Sequence, residues 1–548
     1  MSDSSLMRST SVMAAGTFVS RILGFVRTSL LTGLLGVSGA LAADTFITAN
    51  TVPNQIYNLI ASGLLNAVLV PQIVRAAKDP DGGQAFLDRL LTVSLLGIAA
   101  VTVVATLLAP AVPLVLRPSE GSWDAATVAL CIAFAYWCMP QIFFYGVYTV
   151  LGQVLNARGR FGAYMWAPVA NNVVAIVGLV AMFVWIGGFD RFTNPHPPAS
   201  WTPGQIAGLA GTATLGVVVQ ALVLFWPLWR MGFRYRPRFG LRGVGLASAG
   251  KVAGWTFAAA VMGQLFFIVT VRAVLTAGAG GGPGQNSYSN AFLLFMLPHS
   301  LVTVSLVTAL FTRMSESAVS GRPDLVRRDL SVGLRLTGVA SVLAVAAMVA
   351  VGPELTATLF ITNAPPDTRA IAAAATAMML GLVPFSAQYL FQRAFYAFAD
   401  ARTPFLIQVP VVLTIAATSF AAGHLLDPQH IVVGVGLGMA LGYLVGAVLS
   451  AVALHRRLGG LDGRRVLRTY VRLAAAAVPA VLVGRLIAWG GHAWLGQTKA
   501  SSALVLVVGG LAVLAVYLGA CRVLRVTEIG ELAEPLLKRL PGRRAARG

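Results

Sequence analysis

Runs of about twenty apolar residues recur along almost the whole of this 548-residue chain, and about twenty is the length a helix needs to cross the hydrocarbon of a bilayer. Fourteen such runs are read as spans: 9–35, 41–73, 87–116, 124–155, 162–187, 205–229, 247–277, 286–312, 329–360, 370–398, 405–425, 431–454, 469–490 and 502–523. In lipid the backbone must satisfy its own polar groups, so runs of this length are helices. The expected fold is an all-α polytopic membrane protein of about 14 transmembrane helices. Composition agrees, with 57% hydrophobic and 11% charged residues, against about 25% charged in soluble domains. Several runs exceed 25 residues and must tilt or kink. Pro53, Pro140, Pro298 and Pro384 fall inside them, where proline breaks the backbone ladder. The apolar run behind MSDSSLMRSTSVMAAG is read as a retained first span rather than a signal peptide.

A net charge of +21 would point to nucleic acid in a soluble chain. Here its placement explains it, and no nucleic-acid partner is expected. With the N-terminus inside, thirty of the 40 basic residues fall in cytoplasmic segments and four (Arg117, Arg191, Arg369, Lys499) in outer loops. The positive-inside rule then places both termini in the cytoplasm. The chain also repeats itself. NARGRFGAYMWAPV (156–169) resembles FADARTPFLIQVPV (398–411), which pairs Arg160 with Arg402 and Pro168 with Pro410. Pro53 and Arg27 pair in the same way with Pro298 and Arg272. Two six-helix lobes in a parallel repeat follow, at 1–230 and 231–456, with two accessory helices at 457–525 and a basic tail at 526–548. Transporters commonly hold substrate between such halves.

Three arginines stand out because they lie inside spans. Arg21 is near the middle of span 1, Arg27 in its outer half, and Arg272 toward the outer end of span 7. Arginine in the bilayer centre costs about 2.5–3.5 kcal/mol on insertion scales, which makes it a functional candidate. A guanidinium stays charged and presents a fork that fits phosphate oxygens. The three are expected to bind a diphosphate in a central cavity, with Arg27 and Arg272 facing each other. Asp44, at the start of span 2, is expected to pair with an arginine or to act in gating. Asn54, Asn58 and Gln264 are further polar candidates for the cavity wall. Arg335 and Arg393 read as anchors near the membrane surface. Asn156, Arg158, Arg160, Asp400 and Arg402 read as parts of tight helix turns. The loop GAGGGPGQN (278–286) lacks a phosphate-loop lysine and reads as a flexible linker.

Catalysis finds little support. The outer acids Glu120, Asp124, Asp190, Glu354, Asp367 and Asp427 are scattered over different loops, and neither HExxH nor GxSxG occurs. Cys131, Cys138 and Cys521 show no metal spacing. The chain is expected to be a transporter, not an enzyme, with no catalytic residues, no metal site and no cofactor.

The run SRILGFVRTSLLTGLLGVSGALAADTFITANTVPNQI (20–56), with VLNARGRFGAYMWAPVANNVV (154–174) and RAFYAFADARTPF (393–405), resembles the MurJ (MviN) family of lipid II flippases. The family belongs to the superfamily of multidrug, oligosaccharidyl-lipid and polysaccharide exporters. The resemblance implies a two-lobe, V-shaped carrier working by alternating access, with a cationic cavity lined by spans 1, 2, 7 and 8. The family's two span-1 arginines match Arg21 and Arg27, and its acidic residue early in span 2 matches Asp44. Two of its usual arginines are missing, at Tyr57 and Asn58 and at Leu293, and Arg272 is read as a compensating cation. Spans 7, 11 and 12 carry no Asp or Glu to hold the sodium ion that some members bind.

The implied function is movement of the undecaprenyl-diphosphate-linked peptidoglycan precursor from the inner to the outer face of a bacterial plasma membrane. Its partners would be lipid II, the bilayer and cell-wall synthesis enzymes. The driving force would be the membrane potential or a monovalent cation. Another polyprenyl-linked glycan or an amphipathic drug as cargo, or a non-transporting cell-wall scaffold, are the alternatives.

Overall fold

The computed structural model describes residues 3–61, 84–118, 122–158, 160–186, 197–239 and 250–528. Arg75, Lys78, Glu120, Asp190 and most of the basic tail lie outside them. Twelve helices among the described residues are long and apolar enough to cross a membrane. They become thirteen when Pro365–Met379 and Leu382–Ala397, bent by 46° against each other, are taken as one span. The remaining expected span falls on Leu41–Ile60. That helix carries Asp44, Asn50, Asn54, Gln55 and Asn58, which lower its apolarity. Residues 62–73 of the same expected span are outside the described segments. Regular structure among the described residues is helical, apart from one isolated bridge between Ser38 and Pro283.

The chain divides into two compact units, one of residues 1–286 with 362–364 and one of residues 287–361 with 365–548. The first contains α1 (Asp3–Leu35), α2 (Leu41–Ile60), α3 (Gln84–Leu107), α4 (Ala125–Cys138), α5 (Gln141–Ala157), α6 (Phe161–Ile186), α7 (Thr212–Leu222), α8 (Phe225–Arg230) and α9 (Gly250–Ala279). Its boundary falls beyond α9, the helix that the repeat assigns to the second lobe. Phe46, Phe134, Ala135, Cys138 and Ile142 are fully buried and lock α2, α4 and α5 into one core. Phe46 meets Phe134 edge-to-face at 5.3 Å, a favoured aromatic geometry. Burial in this core accounts for Cys131 and Cys138 as small apolar residues.

The second unit contains α10 (Gln285–Pro298, whose first two residues belong to the first unit), α11 (Val304–Val319), α12 (Pro323–Leu359), α13 (Pro365–Met379), α14 (Leu382–Ala397), α15 (Arg402–Leu425), α16 (Ile431–Leu458), α17 (Gly463–Leu495) and α18 (Lys499–Val523). Helix α12 is its axis. Val339, Ala350 and Val351 of α12 pack with Leu473, Ala476 and Ala480 of α17 and with Val513 and Tyr517 of α18. Two buried hydroxyls fix the register, Tyr470 donating to the Leu334 carbonyl at 2.8 Å and Tyr517 to the Val339 carbonyl at 3.0 Å. Val351 leaves helical geometry at φ −130, ψ 24, two residues before Pro353. A proline there removes a donor and crowds the preceding turn, which is a recognised cause of a kink.

Arg335 is not a surface anchor. It is 3% exposed, donates to the Ser331 carbonyl at 3.1 Å, and forms an ion pair with the equally buried Glu528 just beyond α18. Arg393 lies among the Phe311, Tyr389 and Tyr396 rings and donates to the Tyr389 hydroxyl at 2.8 Å. Asp400 serves its turn structurally. It accepts from the Thr403 N–H at 3.0 Å and the Thr403 hydroxyl at 2.8 Å, and it pairs with Arg457 at 2.8 Å. Partial burial works against ionisation of Asp400. The bonds from Thr403 and Arg457 outweigh it and hold the carboxyl below its usual range.

Candidate functional site

All seven candidate residues belong to the first unit, so their mutual geometry is internal to it. Helix α1 carries Arg21 and Arg27 and lies along α6. Asn172 of α6 donates to the Ser20 carbonyl at 2.9 Å and to its hydroxyl at 3.3 Å, fixing α1 beside the half-buried Arg21. Six residues further on, about 9 Å along the axis, Arg27 enters a cavity among α1, α2, α6 and the segment before α7. Phe46, Gly178, Leu179, Met182 and Leu209 are among its walls. The cavity holds about 20 Å³, room for roughly one water.

Arg27 interacts electrostatically with Tyr145 of α5. Tyr145 also bonds Asn54 and donates to the Gln141 side chain at 3.4 Å. Gln141 donates in turn to Asn50 at 2.9 Å and to the Thr214 hydroxyl at 3.0 Å. Asn58 donates to Asn54 at 3.0 Å. The side-chain amide of Gln264, on α9, donates to Gln55 at 3.0 Å. Asn50, Asn54, Gln55 and Asn58 thus carry polar contacts along α2, to Gln141, to each other and to Gln264, with Tyr145 bonded to Gln141 and near Arg27. Tyr145 and Gln141 are missed by sequence reading. The spacing of Asn50, Asn54 and Asn58 at i, i+4 and i+8 is the signal that marks this helix face. Tyr57, where the family carries a cation, bonds the Thr149 hydroxyl and lies 5.6 Å from the Tyr145 ring.

Arg272 lies elsewhere. Its side chain is exposed and donates to the Pro118 carbonyl at 3.5 Å, beyond the short helix Ala111–Leu116. It is not among the walls of the Arg27 cavity.

Asp44 also departs from expectation. Its side chain is fully buried, and among the described residues no arginine pairs with it. Instead one carboxylate oxygen accepts the Asn286 N–H at 3.3 Å, at the start of α10. The N-terminal N–H groups of a helix lack intrahelical partners and favour a negative charge. The glycine-rich loop that reads as a flexible linker is the cradle for this carboxylate. A Cβ on Gly278 or on Gly284 would overlap Oδ2 of Asp44. The loop is tied to the α1–α2 turn by the Ser38–Pro283 bridge and by the Gly39 N–H donating to the Gly282 carbonyl at 2.9 Å. Gly36 and Gly39 have φ of +81 and +65, the left-handed region that glycine enters without penalty.

The last turns of α1 end against side chains that cap its carbonyls. Thr362 donates to Ser29 at 2.9 Å, Asn363 to Thr32 at 3.2 Å, and Asn286 to Gly36. This end of the first unit is closed by specific bonds, and Asp44 is its buried centre. Gly284→Ala is expected to destabilise the protein by about 1–3 kcal/mol, the usual cost of overpacking. Thermal unfolding of the purified chain measures it. In the Asp44→Ala background the same substitution should cost little, because the overlapping oxygen is gone. An equal cost in both backgrounds would place the strain elsewhere.

A model of the family described as lipid II flippase MurJ matches residues 32–509. The chain is 24% identical over 508 residues to a probable lipid II flippase MurJ of Vibrio cholerae, covering 88% of this chain and 89% of that protein. It is 25% identical over 554 residues to a probable lipid II flippase MurJ of Rhizobium tropici, covering 98% of each. Among solved structures, a lipid II flippase MurJ in an inward closed conformation superposes with a TM-score of 0.68 at 17% identity, over 93% of this chain and 99% of that one. An inward-facing multidrug transporter of the MATE family, in the MOP superfamily, gives 0.64 at 16% identity, over 81% and 96%. With the family match running through almost all of its described helices, this chain belongs to the MurJ lipid II flippase family.

Proposed function

We propose that the protein moves lipid II across the bacterial plasma membrane, alternately exposing an internal site to the two faces, and that it does so without catalysing a bond change. The observation that carries this reading is the polar interior of α1, α2 and α5 within a chain of this family. A charged guanidinium, Arg27, lines a largely apolar cavity within electrostatic reach of Tyr145, whose hydroxyl bonds the Gln141 side chain. Such a group inside a membrane protein usually marks a path for a polar or ionic substrate. The diphosphate falls to Arg21 and Arg27, whose forked donors suit its oxygens. The amides of Asn54, Asn58 and Gln264 offer hydrogen bonds to the sugar and peptide hydroxyl and amide groups. Asp44 holds one end of the unit shut and acts as a gate element rather than as a ligand.

Both termini face the cytoplasm in this proposal, following the distribution of basic residues. The substrate is anionic, so a potential negative inside favours outward movement by about 2.3 kcal/mol per charge per 100 mV. A monovalent cation is the alternative driving force, and cell-wall synthesis enzymes are the proposed protein partners. The test is replacement of the only lipid II flippase of a bacterium by this chain, with lipid II at the outer face as readout. Growth and surface-exposed lipid II at normal levels support the proposal. Membrane-inserted protein with lipid II trapped inside would refute it. Export of a different polyprenyl-linked glycan in its place would transfer the reading to that cargo.

A further inference from the structure

At the end of α12 beyond its kink, Glu354 is 5% exposed. One of its carboxylate oxygens bonds His492 Nε2 of α17 at 3.2 Å, and the other, Oε2, is buried with no hydrogen-bond partner among the described residues. A buried acceptor left unmatched costs about 1–3 kcal/mol or more when charged, so this atom calls for a donor. Glu354 lines a cavity of about 580 Å³ whose other walls include Arg485, Trp489, His492 and Gln497. All of these belong to the second unit.

The histidine has a fixed role. Its Nδ1 faces the Gly496 carbonyl at 3.3 Å while Nε2 faces Glu354. Both partners accept, and a neutral imidazole has only one N–H to give. His492, already shared between these two acceptors, cannot supply Oε2 as well. Oε2 still lacks a donor, and Arg485 adds an exposed cation at the cavity mouth. Trp489 is 75% exposed and Trp494 91% exposed on an apolar helix, and tryptophans of this kind sit at the depth of lipid headgroups.

We infer that this cavity binds the headgroup of an aminophospholipid, with its primary ammonium on Glu354 Oε2 and its phosphate on Arg485. A primary ammonium supplies the missing N–H donor, and Trp489 lines the same cavity. A quaternary ammonium has no N–H and leaves Oε2 unmatched. A purely anionic headgroup satisfies Arg485 but repels Glu354. The acyl chains remain in the surrounding lipid. The inference rests on residence in a membrane and is independent of the cargo the protein moves.

The test uses the full chain in nanodiscs made with phosphatidylethanolamine, phosphatidylcholine or phosphatidylglycerol as the guest lipid in a common host lipid. Native mass spectrometry counts the retained lipids. Phosphatidylethanolamine should be retained about tenfold or more over phosphatidylcholine, the factor expected of a hydrogen bond to a charged group. Glu354→Gln should abolish that preference. Arg485→Gln, at an exposed position that leaves packing intact, should weaken retention of phosphatidylethanolamine while sparing the order of the two lipids. Soluble phosphoethanolamine, which has the headgroup alone, should compete only weakly if the lipid is the ligand. Full competition by it would overturn the lipid assignment. Equal retention of the two lipids, preferential retention of phosphatidylglycerol, or a preference that survives Glu354→Gln would overturn the site.

Discussion

Arg21→Ala combined with Arg27→Ala is expected to abolish lipid II export while the protein still reaches the membrane. Each guanidinium on a phosphate oxygen contributes about 1.5–3 kcal/mol, the range for hydrogen bonds to charged groups. Losing both removes about 3–6 kcal/mol of substrate binding, a fall of roughly a hundredfold to ten-thousandfold. The two positions are expected to differ. Arg27 lines a small cavity of largely apolar walls, so Arg27→Met keeps most of its volume and isolates the charge. Arg27→Lys retains charge without the fork and should restore export only in part. Surface lipid II, normalised to the amount of inserted protein, is the readout. Normal export by the double variant would remove both residues from the substrate site. Arg272→Ala should be milder, because that side chain is exposed and among the described residues bonds the Pro118 carbonyl alone.

The second large effect concerns stability. Arg335→Ala leaves Glu528 charged, buried and without its counter-ion. Breaking a buried pair by removing one partner typically costs about 3–5 kcal/mol. The loss is expected to appear as a lowered unfolding temperature of the full chain in detergent. Replacing both partners, as Arg335→Met with Glu528→Leu, should recover most of it, since a well-packed apolar pair is often neutral or stabilising. A single substitution no more harmful than a surface one would show that water already reaches the pair. The effect should reach beyond the tail, because α12 also receives the Tyr470 and Tyr517 hydroxyls that seat α17 and α18.

What could be read from the sequence was governed by the range of each interaction. Spans follow from local apolar content, and the helices fall close to the expected runs. The exception is α2, where Asp44 and three asparagines at helical spacing dilute the apolar signal. The same asparagines mark the helix face that meets Tyr145 and Gln141. Arg27 stood out because a charge inside a span is visible in isolation. Its partner Tyr145, 118 residues away, carries no mark in an apolar run. Arg335 resembled a surface anchor because Glu528 lies 193 residues further on. Asp44 resembled half of an ion pair because acids in spans usually find cations. Its actual partner is a backbone N–H, which every residue but proline possesses, so no side chain announces it. The pairing of Arg27 with Arg272 was a symmetry argument. It did not anticipate that α9 packs with the first unit.

The glycine-rich segment 278–286 has one practical consequence. By composition it is where an engineer would insert an epitope, a protease site or a fluorescent reporter, since small polar loops usually tolerate insertion. Here two of its glycines press against a buried carboxylate and its backbone is hydrogen-bonded to the α1–α2 turn. An added residue would shift the register of every one of those contacts. The turn between α15 and α16, around Asp427 and Gln429, is solvent- or headgroup-exposed and is the better host for a tag. Reporters of transport built on this scaffold belong there.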